Sequence, residues 1–194
     1  MWVAPGRALD IVWRDMLFIL LMVFLMLAIL VNPPEDAKAI DSPGVLVVEI
    51  RWPDGLNIDI DLWVKAPGEE PVGFYNRAGR VFNLLRDDLG SARDDTPHNY
   101  EYSFARSIPD GEYIVTVHLY NNWSYDQFPL PVQARISILA PAGGTPTEIL
   151  KRTVYLLSRG HEETVARFTL EGGELVPGSM SQIPAPLSPQ TRRQ

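Results

Sequence analysis

The sequence predicts an all-β outer domain, an antiparallel β-sandwich or jelly roll, preceded by one N-terminal transmembrane α-helix. Three observations carry this. Residues 16–31 form an apolar run without a charge, short alternating segments recur between residues 45 and 170, and no long helical period follows residue 32. At 194 residues the chain has room for one anchor and one domain of about 130 residues, large enough to bury its own core. The absence of cysteine removes disulfides, zinc-thiolate sites and a catalytic thiol, and a net charge of −7 argues against a nucleic-acid surface.

Residues 1–10 read as a short cytoplasmic arm and 11–31 as the helix. The charge-free run alone rises only about 24 Å against a hydrocarbon core of about 30 Å. The span therefore has to take in Ile11, Val12 and Trp13, which brings Arg14 and Asp15 to one interface. Asp10 and Arg14 stand at the i, i+4 spacing of a helical ion pair, leaving Asp15 without a local partner. Asn32, Pro33 and Pro34 end the helix. Arg7, Arg14 and the short leading arm place the N-terminus in the cytoplasm, the protein in the inner membrane as a single-pass chain, and the C-terminal domain in the periplasm or outside the cell. A rival reading takes the same stretch as a signal peptide cut after Ala39, at the Ala37, Lys38, Ala39 site.

Residues 32–44 hold three prolines and mixed charge, which predicts an extended linker. The sandwich follows over 45–172. Strands are expected at 45–52, 57–64, 72–75, 81–85, 99–105, 112–121, 132–139, 152–157 and 164–170. In the second, Ile58, Ile60, Leu62 and Val64 share one face and Asp59 and Asp61 the other. Pro109, Asp110 and Gly111 supply the reversal that feeds the long strand containing His118, which alternation puts on the solvent side or partly buried. Residues 139–147 read as a loop, and 173–194, rich in Pro, Ser and Gln, as a disordered tail.

Asp15 followed by Met16, Leu17, Phe18, Ile19, Leu20, Leu21 and Met22 resembles the single transmembrane helix of the ExbD, TolR and MotB group of ion-driven motor subunits. That resemblance covers about the first 32 residues. It implies that Asp15 is the ion- or proton-binding carboxylate, working in a homodimer of helices beside a multi-span ring subunit of the MotA, TolQ or ExbB type. Phe18, Ile19, Met22, Leu25, Met26 and Ile29 share the face of Asp15 by helical spacing and would line the partner contact. Two departures stand out: Arg14 beside the acid, and a C-terminal domain unlike those of the group. Trp52, Asp59, Asp61, Tyr100, Glu101 and the Pro109, Asp110, Gly111 turn, in that order, resemble YfaP-like bacterial β-sandwich domains over roughly residues 45–170. This resemblance implies a binding or structural module and no catalytic residues.

Asp59 and Asp61 on one strand face, with Asp87 and Asp88 in a later loop, supply the oxygen ligands calcium prefers, though the spacing matches no EF-hand. Asp94 and Asp95 add to the loop's charge. The competing reading is a solvated acidic edge that discourages edge-to-edge pairing. His161, Glu162 and Glu163 lack the second histidine of a zinc-protease helix. Tyr120, Trp123, Tyr125 and Phe128 are candidates for an exposed binding platform or for packing at the end of the sandwich.

The leading functional expectation is a single-span subunit of an ion-driven motor or energy-transducing envelope complex, not an enzyme, with the sandwich engaging an envelope protein or polysaccharide. The alternative is a membrane-anchored or secreted sandwich that binds carbohydrate, calcium or protein without ion coupling.

Overall fold

Proline suits the first position of a helix, where its missing N–H has no intrahelical acceptor to lose, and helix α1 runs Pro5–Val31. The computed structural model describes residues 5–31, 45–90, 97–123, 128–139 and 146–191, with the helix side chains described over 10–27. The predicted linker, its Ala39 cleavage site, Asp94, Asp95 and Tyr125 lie outside the described residues, as does the side chain of Ile29. Two compact units divide the chain, Met1–Ile40 and Asp41–Gln194.

In the first unit every described side chain of α1 is exposed, Asp15 and the apolar residues alike. Among the described residues no helix is long and apolar enough to cross a membrane. Three charged residues, Asp10, Arg14 and Asp15, fall within the described side chains, and the charge-free part described, 16–27, is shorter than a bilayer span. The expected Asp10 to Arg14 ion pair is also absent among the described residues, so Asp15 is not singled out as the helix's one uncompensated charge.

The second unit is built from strands β1 (Leu46–Arg51), β2 (Ile58–Lys65), β3 (Phe82–Arg86), β4 (Tyr100–Ala105), β5 (Gly111–Asn122), β6 (Leu130–Ile138), β7 (Thr147–Leu156), β8 (Glu162–Glu171) and β9 (Glu174–Leu175). They form two antiparallel sheets, ordered β3-β4-β1-β6-β7 and β2-β5-β8-β9. One apolar cluster joins the sheets in the arrangement of a β-sandwich. Leu46, Val48 and Ile50 of β1 and Val132 and Ile136 of β6 share it with Ile60 and Leu62 of β2, Val115 and Val117 of β5 and Phe168 of β8. Alternation explains this half of the pattern, since successive strand residues point to opposite faces.

The other face of the four-stranded sheet is also covered, which alternation did not predict. Every residue of β2 from Ile58 to Val64 is buried. Part of the cover comes from the predicted strand at 72–75, which forms only bridges: Val72 exchanges two backbone bonds with Val64, at 2.9 and 2.8 Å, along the free edge of β2. The adjacent Gly73 lies flat on the Trp63 ring. More cover comes from the C-terminal segment, expected as a tail without packing. It follows β8 instead, exchanging two backbone bonds between Ser181 and Arg167 and donating the Ala185 N–H to the Thr164 hydroxyl at 2.9 Å. Leu187 and Ser188 are buried. Apolar content is low there, and backbone pairing to an open sheet edge supplies what packing does not.

Gly73 leads to a test. A methyl group at this position overlaps the six-membered ring of the buried Trp63. Gly73→Ala should therefore lower stability by about 1–3 kcal/mol, the cost of overpacking a filled site. Denaturant unfolding of the detergent-solubilised chain measures it, and an unchanged midpoint would contradict this packing.

Candidate functional site

Asp59 and Asp61 project from the covered face of β2, near the corner where its edge meets β4 of the opposite sheet. The β2–β5 pairing slips between Asp59 and Ile60, a bulge of the kind that re-aims side chains. Past the slip Asp61 stands opposite His118 of β5, and the His118 Nδ1 lies 3.1 Å from an Asp61 carboxylate oxygen. His118 is 1% exposed, a correction to the solvent-side or partly buried position expected from alternation. The same covering layer seals in the aspartates, so the acidic edge is not solvated.

Glu101 arrives from β4 and is fully buried. One of its carboxylate oxygens accepts the Leu62 N–H at 2.8 Å, the other the Asp88 N–H at 3.0 Å. Asp88, in the segment after β3, accepts the Gly90 N–H at 3.1 Å on one oxygen and the Tyr100 N–H at 3.2 Å on the other, with an Arg86 guanidinium nitrogen at 3.5 Å. Asp88 is thereby committed to fixing its own loop. Its neighbour Asp87 has one oxygen 3.6 Å from Arg77, while its Oδ1 is buried without a hydrogen-bond partner. Asp59 Oδ1 is buried and unpartnered as well. Carboxylate oxygens of Asp61, Asp87 and Glu101 all lie within 4.8 Å of one another.

Electrostatics follow from burial. Desolvation, reinforced by the charges of Asp61, Asp87 and Asp88, pushes the Asp59 carboxyl up to about 8. Burial also raises Asp61, against the opposing pull of the His118 hydrogen bond and charge. For Glu101, burial first and the Asp61 charge second outweigh the two backbone donors and hold it well above the usual carboxylate range. Oxygen donors alone, crowded and poor in countercharge, suit either shared protons or a hard cation.

Known protein families, characterised proteins and solved structures give no match to this chain. Its chemistry is argued from these residues. All four predicted metal candidates, Asp59, Asp61, Asp87 and Asp88, come to this corner. Glu101 and His118 join them from positions sequence reasoning did not assign to the site, because their approach depends on how the two sheets face each other. Thr116, two residues from His118, gives its hydroxyl to Glu162 at 2.6 Å, which leaves it no part in a nucleophilic pairing with the histidine. His161, Glu162 and Glu163 lead into strand β8, not a helix. Glu162 accepts the Leu187 and Ser188 N–H groups at 2.7 and 3.1 Å, a clasp for the C-terminal segment. Of the aromatic candidates, Tyr120, Trp123 and Phe128 are exposed, and Tyr120 packs against Phe74 with ring centroids 5.9 Å apart.

The raised carboxylates set a pH dependence. In the unfolded chain Asp59 loses its proton near 4, whereas the folded protein holds it until about 8. The folded state binds more protons in that window, so its contribution is fully present below about 4 and is lost as pH rises towards 8. The upward shifts of Asp61 and Glu101 have the same sign. Chelator-treated protein should lose on the order of a few kcal/mol between pH 5 and pH 8. Thermal melts across that range check it, and stability that rises with pH would refute this account of the site.

Proposed function

We propose that this protein is a membrane-anchored β-sandwich binding module, held by its N-terminal helix at the inner membrane with the sandwich facing the envelope. The observation that supports this reading is the uncovered apolar helix: Ile11, Val12, Trp13 and residues 16–27 are all exposed, from 43% at Met16 to 74% at Met26. A helix apolar on every side needs lipid or protein around it. Lipid can serve despite the short charge-free run if Arg14 extends its head to the interface and the bilayer thins slightly, a cost of fractions of a kcal/mol per Å. The sandwich contributes a rigid frame and a buried acidic corner, properties of a binding module.

Carbonate extraction of membranes tests the anchor. The chain should stay with the membrane pellet and leave it only with detergent; release by carbonate would sink the reading. Replacing residues 1–31 with an unrelated single-span anchor should leave function intact.

A second reading, the ion-driven motor subunit, is favoured by Asp15, an exposed carboxylate on the face that also carries Phe18, Ile19 and Met22. In that reading proton or cation binding at Asp15 changes the helix's contacts with a multi-span ring partner. Asp15→Asn should then abolish complementation of a strain lacking the protein, with membrane insertion unchanged. Full activity of the variant would leave the helix as an anchor alone.

A further inference from the structure

We propose that the corner where Asp61, Asp87 and Glu101 converge, with Asp59 on the same strand face, is a calcium site that ties the edge of β2 to β4 and to the segment after β3. This deepens the binding-module reading, on which it rests for the envelope as source of the ion, by naming the ligand class.

The geometry supports it in three ways. First, the Asp61, Asp87 and Glu101 oxygens lie within 4.8 Å of one another. Opposite ligands on a calcium ion, at about 2.3–2.6 Å each, stand roughly 4.6–5.2 Å apart, so the three fit one coordination sphere without rearrangement. Magnesium, with ligands at about 2.0–2.1 Å, demands near-ideal octahedral geometry and dehydrates reluctantly, so it is less suited to a cage built mainly of protein oxygens.

Second, two donor atoms have no other use. Asp59 Oδ1 and Asp87 Oδ1 are buried without hydrogen-bond partners, and Asp59 is only 4% exposed. Buried carboxylate oxygens left without a partner are strongly disfavoured, and a cation held by the cluster supplies the positive charge that this corner lacks. Third, the chain's own basic groups engage single oxygens at the margin of the cluster. Arg77 faces the other oxygen of Asp87, Arg86 faces Asp88, and His118 engages Asp61. Glu101 keeps capacity for a metal although each oxygen accepts one N–H, because each carboxylate oxygen has two lone pairs. The oxygen-only donor set, with the His118 Nδ1 turned to Asp61, favours a hard ion over zinc or copper.

The test uses the full chain in detergent, stripped with chelator and titrated with calcium chloride by calorimetry, with parallel thermal melts. One calcium per chain should bind, and at about 100 times the dissociation constant the unfolding equilibrium should shift about 100-fold towards the native state. Magnesium should bind at least roughly tenfold more weakly, given its stricter geometry. Asp59→Asn and Asp87→Asn each replace a carboxyl group whose Oδ1 no described residue engages, so both should fold without metal, and each should weaken calcium binding roughly tenfold or more. No calcium heat and no stabilisation up to about 10 mM, tenfold above the weakest extracellular sites, would overturn the proposal. Undiminished binding in the Asp59→Asn, Asp87→Asn double variant would do the same. Carbonate extraction of the same protein reads the anchor separately, so a chain that stays in the membrane and fails to bind calcium removes this inference alone.

Discussion

The Glu101 carboxylate is the interaction on which the architecture of the corner depends. It belongs to β4, in the five-stranded sheet, yet one of its oxygens takes the Leu62 N–H from the edge of β2 in the other sheet. That donor lies on the free edge of β2 and would otherwise be buried without an acceptor, which is costly. The second oxygen takes the Asp88 N–H and fixes the segment after β3 over Asp59 and Asp61. A single side chain therefore closes a sheet edge, joins the layers and creates the enclosure in which the aspartates lose their water. The raised carboxyls of Asp59 and Asp61 follow from that enclosure.

The opposite edge of the same sheet is closed by similar means. Glu162 opens β8 and collects the Thr116 hydroxyl with two backbone N–H groups of the C-terminal segment. Carboxylates at both margins thus replace the missing neighbour strand. Open strand edges invite pairing with other chains, and these side-chain bonds occupy them within the molecule.

The sequence made the strand pattern readable because the inner faces alternate: Leu46, Val48 and Ile50, or Ile60, Leu62 and Val64, need no partner to be recognised. Eight of the expected strands appear with shifted ends, among them β7, which begins several residues earlier than the β-branched run suggests. The short β9 and the pairing of the C-terminal segment were not legible, because Pro and Ser describe a chain poor in apolar contacts, whereas its order comes from backbone bonds to Arg167, Thr164 and Glu162. For the site, Asp59 and Asp61 announced themselves by their spacing, and Asp87 and Asp88 by their run. Glu101 did not, since its importance lies in reaching a strand 39 residues away in sequence. Alternation says that a side chain leaves the core face but not what waits on the other side.

Acidic residues occur in two contrasting settings in this chain. Asp15 lies exposed on an apolar helix, where its charge is governed by whatever surrounds the helix. The corner aspartates carry their environment with them, because the covering segments, the Glu101 bridge and the His118 contact all belong to the same folded unit. A carboxylate whose surroundings are built by its own fold is poised before any partner arrives, and ordered donors lose less freedom on binding an ion. If the sandwich binds an ion, the preorganised corner is where its fold has already paid the ordering cost, whereas any role for Asp15 would require an assembly that supplies its other half.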